Sequence, residues 1–135
     1  MAKECFVAVY GTLMKGEVNE HWRADVETVT EGAMIGWLFD TGFGFPAFVP
    51  DDGNDHLFTP ATAVRCEVLR VTRSQLAHMD VLEGYPNLYR RENVVVHGAD
   101  DNDYDCIVYV MNSMPAQAKF IRCGRWKDRR ADEGA

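Results

Sequence analysis

The chain has 135 residues, of which 47% are hydrophobic and 26% charged, a balance typical of one globular domain. Its formal net charge of −7 argues against a nucleic-acid partner, because binding to phosphate backbones requires a basic face. No apolar run approaches the roughly 20 residues that cross a bilayer. The N-terminal residues also lack the apolar core of a secretion signal, so we expect a cytoplasmic protein without a membrane partner.

Short strands dominate the first half of the chain, separated by glycine, proline and other turn-forming residues. The predicted strands are residues 5–10, 26–39, 47–49 and 63–71. The first is apolar throughout, so we expect it to be buried on both faces and to end in a tight turn at Gly11. Gly32 and Gly36 interrupt the second strand, which indicates bends or a bulge. Asn19 is a suitable N-cap for a short helix over residues 20–23.

The second half contains the one convincing helix. Thr72 and Gln75 have the spacing of a capping box, in which each side chain bonds the backbone N–H of the other residue. The helix is therefore expected to start there and to run to about Glu83, where Gly84 ends it. Two further strands form a predicted hairpin over residues 88–97 and 104–111.

Six or so strands with one helix, and no regular strand–helix alternation, favour the α+β class. The expected fold is a small mixed, mostly-β, barrel-like domain with one main helix. We assign residues 1–126 to this single domain and residues 127–135 to a charged C-terminal tail.

The cysteines and histidines show no pattern of a metal site. The cysteines are Cys5, Cys66, Cys106 and Cys123, and none forms a C-x-x-C pair. At least three of them lie in apolar strand-like runs, where cysteine acts as a small hydrophobic residue. We therefore expect reduced core thiols and no metal, with a disulfide, a metal site or one nucleophilic cysteine as the alternatives.

Two glycine patterns resemble phosphate-binding motifs but lack essential parts. Residues 11–16 match the first half of a P-loop, yet Glu17 and Val18 stand where lysine and a hydroxyl residue are required. Residues 42–47 match a dinucleotide fingerprint by letters, but Pro46 is followed by strand-like residues rather than by a helix. The second segment is either a glycine-permitted bend or a loop that lines a pocket.

One face of the predicted helix carries two carboxylates among apolar residues. Met79, Asp80 and Glu83 lie three, four and seven residues beyond Leu76, which places all four side chains near one face. A carboxylate buried without a partner is costly, so such groups are paired, hydrogen-bonded or shifted in pKa. These residues are either structural carboxylates, bonded to backbone amides or to Arg90, or part of a site.

Five segments of the chain resemble, in order, the signatures of the gamma-glutamyl cyclotransferase-like family. They are Tyr10-Gly11-Thr12-Leu13 with Asn19, residues 38–47, residues 79–91, Val108-Tyr109-Val110 and Gly124-Arg125-Trp126. The resemblance implies a barrel-like fold with a cavity and without a cofactor. It also implies that the α-amine of a gamma-glutamyl group attacks its own side-chain carbonyl, which yields 5-oxoproline and a free amine. The Tyr-Gly-Thr-Leu form is closer to the gamma-glutamylamine branch than to the glutathione-directed ones.

The same resemblance, together with the apolar position of the helix carboxylate, implies roles for particular residues. Glu83 is the expected catalytic acid/base, and Asp80 is expected to brace the helix or a neighbouring loop. The expected substrate-binding residues are Tyr10, Gly11, Thr12, Leu13, Tyr85 and Tyr109, although the last two tyrosines serve packing equally well. The expected partner is a small gamma-glutamyl molecule, and the expected assembly is a monomer or a small homo-oligomer. The alternatives are a non-catalytic ligand- or protein-binding member of the fold and a hydrolase with a cysteine nucleophile.

Overall fold

A computed structural model describes residues 5–14, 16–17, 25–51 and 59–129 of the chain. The predicted helix after Asn19 lies outside these residues. The elements are β1 (Cys5–Val9), β2 (Glu27–Asp40), β3 (Pro46–Pro50), β4 (Thr62–Val71), α1 (Arg73–Glu83), β5 (Tyr89–Gly98), β6 (Asp103–Met111), β7 (Lys119–Phe120) and a short 3-10 helix (Trp126–Asp128). None of the helices described is long and apolar enough to cross a bilayer.

Five of the strands close into a barrel. They pair in the order β2, β4, β1, β6 and β5, and β5 pairs back to β2 through Gly32 with Gly98 and Ala33 with His97. β1 and β6 are parallel, whereas the other barrel pairs are antiparallel. β3 and β7 pair with β2 outside this ring. The predicted α+β class, with a mixed barrel and one main helix, is confirmed.

β1 is buried on both faces, as its apolar sequence predicts. Ala8 and Tyr10 belong to the apolar cluster that also contains Met34 and Val108. Val7 and Val9 face the other way and pack in the cluster that contains Met79 of α1. Because successive side chains of a strand point to opposite faces, β1 joins the two parts of the core. Complete burial of each valine is worth roughly 1.5–3 kcal/mol.

Both ends of α1 follow the predicted capping. The Thr72 hydroxyl accepts a bond from the Gln75 N–H (3.2 Å), and the Gln75 side chain accepts one from the Thr72 N–H (2.9 Å). Gly84 adopts the left-handed conformation (φ 66°), and its N–H donates back to the last turn. This conformation ends the helix at Glu83 and so fixes where that carboxyl lies.

β2 has the kind of register irregularity that a bulge produces, but it does not lie at the two glycines. β2 runs without interruption through Gly32 and Gly36, and its one register irregularity lies between Thr28 and Thr30. A Cβ atom on Gly36 would lie 2.3 Å from the carbonyl oxygen of Val49. The glycine therefore allows β2 and β3 to approach each other closely.

The last described segment packs on the barrel. Ile121 and Trp126 are buried and belong to the same apolar cluster as Met34 and Val108. The 3-10 helix crosses the predicted domain boundary at residue 126, and the guanidinium of Arg129 lies 3.7 Å from the centre of the Trp126 ring. Residues 130–135 are outside the described part of the chain, so the tail assignment stays a prediction.

Candidate active site

A cavity of about 150 Å³ opens where β1 ends, between the loop that follows it, the start of β3 and the end of α1. It is lined by Ala8, Val9, Tyr10, Gly11, Thr12, Leu13, Phe45, Pro46, Leu82, Glu83, Leu88, Tyr89 and Tyr109. The fold thus brings six of the seven predicted site residues to one cavity. Tyr85 is the exception. Its ring is 39% exposed and lies 4.5 Å from the guanidinium carbon of Arg91.

Glu83 is the one ionisable carboxyl among the described residues that line the cavity. Its side chain is partly buried, and among the described residues it has no hydrogen-bond or ion-pair partner. Burial raises the pKa of the Glu83 carboxyl from its ordinary 4.5 to about 7. A carboxyl with that pKa exchanges protons readily near neutral pH, which suits it for general acid/base chemistry.

Three tyrosines of the cavity donate their hydroxyl protons to other groups of the protein. Tyr10 donates to the carbonyl oxygen of Tyr109 (2.6 Å), Tyr89 to the carbonyl oxygen of Pro46 (3.0 Å) and Tyr109 to Oδ1 of Asp80 (2.6 Å). Each hydroxyl oxygen can still accept a hydrogen bond. The tyrosines therefore fix the walls of the cavity and present acceptors to it.

The same tyrosines remain protonated at neutral pH. Burial raises the pKa of Tyr10, Tyr89 and Tyr109 well above the usual value, and the charge of Glu83 raises each of them further. A charge shifts a pKa only at short range, so Glu83 lies near all three hydroxyls. Three neutral phenols therefore lie near the carboxyl, and no cation among the described residues pairs with it.

Asp80 braces α1 against β5 and β6, which agrees with the expectation that it braces the helix, but its cation is Arg91 and not Arg90. Its carboxylate accepts the Tyr109 hydroxyl and both Nε (3.1 Å) and a terminal nitrogen of Arg91. Arg90, the cation suggested from the sequence, pairs with Glu92 (2.7 Å). The reason is strand geometry, since neighbouring residues of β5 point to opposite faces and only Arg91 faces α1.

Gly11 lines the cavity and also permits a close contact between the loop and β3. A Cβ atom there would lie 2.4 Å from Cγ of Pro46, so it would meet the buried proline that forms a cavity wall. The glycine is thus required for the contact between the loop and β3. The next residue, Thr12, is partly buried and lines the cavity directly.

Several cavity residues were not predicted. Phe45, Pro46 and Tyr89 come from segments that carry the family resemblance, but nothing in their spacing singles them out from core residues. Both interpretations of residues 42–47 hold, since Gly42 and Gly44 adopt positive φ values while Phe45 and Pro46 line the cavity. Leu82 and Leu88 flank the turn at the end of α1.

Other parts of the described structure offer less for catalysis. All four cysteines are free, and burial raises the pKa of Cys66 and Cys106 to about 12. In the described ranges no three His, Cys, Asp or Glu side chains group as metal ligands would. A second cavity of about 170 Å³, bordered by Arg65, Glu67 and other charged side chains, contains none of the predicted site residues.

Comparison with known proteins agrees with this geometry. The profile of the family described as "Gamma-glutamyl cyclotransferase, AIG2-like" matches residues 7–128. A Drosophila melanogaster protein with the provisional name gamma-glutamylcyclotransferase is 28% identical over 122 residues, which cover 81% of this chain and 71% of that protein. A similarly named protein of Halalkalibacterium halodurans is 29% identical over 101 residues, covering 70% of this chain and 81% of that protein.

Solved structures share the fold at lower identity. An AIG2-like protein of Mus musculus superposes with a TM-score of 0.68 at 20% identity, covering 84% of this chain and 81% of that one. An uncharacterized protein of Pyrococcus horikoshii gives 0.71 at 20% identity, covering 96% of both chains. Because the profile matches most of the chain, the protein belongs to the AIG2-like gamma-glutamyl cyclotransferase family.

Proposed function

We propose that the protein is a cyclotransferase that converts gamma-glutamyl amines into 5-oxoproline and a free amine, with Glu83 as the acid/base. The observation that carries the proposal is the Glu83 carboxyl, which has no partner among the described residues and lies in the cavity formed by the loop at residues 10–13. A protein that only binds a ligand has no need of a proton-exchanging carboxyl at that place.

The reaction requires only proton transfer from the protein. The substrate α-ammonium gives a proton to Glu83, and the resulting amine attacks the γ-carbonyl carbon of the same molecule. A carbon–nitrogen bond forms in the ring, and the bond to the departing nitrogen then breaks. In total two protons leave the α-nitrogen and two reach the departing nitrogen, so one carboxyl that exchanges protons with both atoms is sufficient. No metal, cofactor or protein nucleophile takes part.

Positioning of the substrate α-amine against its γ-carbonyl supplies much of the rate enhancement. Both reacting atoms belong to one substrate, and holding them in contact geometry is worth up to roughly 7–11 kcal/mol. In this proposal the backbone at residues 11–13 receives the substrate carboxylate and stabilises charge that develops on the carbonyl oxygen. The neutral phenols of Tyr10, Tyr89 and Tyr109 surround the reacting carbon without supplying a competing charge.

The test measures 5-oxoproline release from gamma-glutamyl amines by the parent protein and by Glu83→Gln. The glutamine keeps the shape of the side chain but cannot accept and return a proton, so we expect kcat to fall by roughly 10²–10⁴-fold. Glu31→Gln, on an exposed position of β2, is the matched control. Chelator added to the parent protein should leave the rate unchanged.

A binding measurement on the same variants separates the alternatives. Glu83→Gln should still bind a gamma-glutamyl amine, because the loop and the cavity walls remain. If the parent protein binds such an amine but releases no 5-oxoproline, it is a non-catalytic member of the family. If Glu83→Gln cyclises at the parental rate, another group is the acid/base.

A further inference from the structure

The size of the cavity limits what it can enclose. Its volume of about 150 Å³ is that of an engineered protein cavity that binds benzene. A gamma-glutamyl group, with its carboxylate, ammonium and carbon chain, is larger than benzene and would occupy the space fully. The part of the substrate beyond the γ-carbonyl, which departs as the amine, must therefore lie at the mouth of the cavity.

Three of the five lining residues that are not buried are apolar, and the other two are Thr12 and Glu83. Leu88 lines the cavity and is nevertheless 48% exposed, while Phe45 and Leu82 line it and are partly buried. Phe43 is 62% exposed and extends this surface outward, since its ring stacks on Phe45 with 6.2 Å between centroids. We call Phe43, Phe45, Leu82 and Leu88 the apolar rim.

Hydrogen bonds hold the Phe43 side of the apolar rim in place. The Thr41 hydroxyl donates to the carbonyl oxygen of Phe45 (2.7 Å) and accepts the N–H of Phe43 (3.2 Å). Gly42 and Gly44 adopt positive φ values of 85° and 90°, so the chain reverses tightly around Phe43. The exposed ring is thus presented by a bonded turn.

The Leu88 side is held equally firmly. The N–H of Leu88 donates to the carbonyl oxygen of Gly84 (2.8 Å), and its carbonyl oxygen accepts the N–H of Asn112 (3.0 Å). The Asn112 side chain also donates to the carbonyl oxygens of Pro86 (2.7 Å) and Asn87 (2.9 Å). A ligand that covers such a preorganised apolar side chain incurs little ordering cost.

The charge of the cavity lining, like the apolar rim, favours an uncharged departing group. Among the described lining residues there is no lysine, arginine or histidine, and Glu83 is the single carboxyl. A carboxylate on the departing amine would find no cation there and would face the Glu83 charge at neutral pH. An aliphatic or aromatic group would instead bury apolar surface of both partners.

From the cavity size, the apolar rim and the lack of a cation among the described lining residues, we infer that the preferred substrates are gamma-glutamyl amides of neutral, apolar amines. This inference rests on the proposed cyclotransferase function and adds the chemistry of the departing group. Phe43 and Leu88 are the specificity-determining residues, because they are the most exposed members of the apolar rim.

The test compares three substrates of similar size: gamma-glutamyl-n-propylamide, gamma-glutamyl-ethanolamide and gamma-glutamylglycine. We expect kcat/KM for the propylamide to exceed that for the ethanolamide by about 3–10-fold, and the glycine compound to be poorer still. Phe43→Ser and Leu88→Ser should each reduce the preference for the propylamide toward unity. Val81→Ser, at a 78% exposed position of α1 outside the cavity lining, should retain it.

The outcomes distinguish this inference from the function on which it rests. If all three substrates are cyclised at equal efficiency, or the glycine compound is best, the inference is wrong and the proposed function stands. If none releases 5-oxoproline, the proposed function fails and the inference with it. Melting curves show whether Leu88→Ser is folded. If it is not, Phe43→Ser still tests the substrate preference, because Phe43 is largely exposed and its replacement leaves the core intact.

Discussion

The raised pKa of Glu83 predicts a stability gain in Glu83→Gln that depends on pH. The folded protein holds the carboxyl proton with a pKa of about 7, against an ordinary value of 4.5. The folded state is therefore favoured while the group is protonated, and it loses this advantage as the pH rises from 4.5 through 7. At about 1.4 kcal/mol per pKa unit, the loss between pH 5 and pH 8 comes to about 2.5 kcal/mol.

The measurement is urea unfolding of the parent protein and Glu83→Gln at pH 5 and pH 8. Between pH 5 and pH 8, the unfolding free energy of Glu83→Gln should rise by about 2.5 kcal/mol relative to that of the parent protein. Any cost of the substitution that does not depend on pH cancels in this comparison. Glu31→Gln, at an exposed position, serves as the control for removal of a carboxylate. Parallel pH dependences of the parent protein and Glu83→Gln would refute the desolvation argument. A shift of opposite sign would mean that Glu83 has a partner that stabilises its charge.

Three other predictions follow from contacts around the site. Asp80→Asn should lower the free energy of unfolding in urea by about 1–3 kcal/mol, because it removes the ion pair with Arg91. The released guanidinium should lower the pKa of Glu83 and so move the acid limb of the kcat/KM profile below pH 7; an unmoved limb would mean that Asp80 does not hold Arg91 away from Glu83. Gly11→Ala should lower the free energy of unfolding by roughly 1–3 kcal/mol and raise KM, because the new Cβ displaces Pro46. A melting curve identical to that of the parent protein would contradict this packing. Cys106→Ala should cyclise the substrate at the parental rate, and a folded but inactive variant would support a cysteine nucleophile. Iodoacetamide should modify Cys106 of the parent protein slowly, because burial raises the pKa of its thiol to about 12.

Local signals made much of the fold predictable. The capping box at Thr72 and the left-handed Gly84 depend on residues a few positions apart, so the sequence defined both ends of α1. The uninterrupted apolar run of β1 likewise required burial on both faces. The location of Glu83 on the last turn follows from these signals alone.

Contacts between distant segments were not predictable in the same way. Closure of the barrel depends on Gly32 pairing with Gly98, which lie 66 positions apart along the chain, and no local pattern reports that distance. The choice of Arg91 over Arg90 depends on the register of β5, where a slip of one residue exchanges the two faces. Tyr89, which begins β5, lines the cavity, while Tyr85, in the turn before it, does not.

The ion pair of Asp80 explains how Glu83 avoids a cation. Asp80 precedes Glu83 by three residues on α1, so the two carboxyls are neighbours on the helix surface. Arg91 is held at Asp80 by two hydrogen bonds and by the face of the Tyr85 ring. If this guanidinium paired with Glu83 instead, the pKa of that carboxyl would fall by roughly 1–3 units, and it would return a proton poorly to a departing amine near neutral pH. Asp80 therefore supports the proposed chemistry by holding Arg91 away from the base.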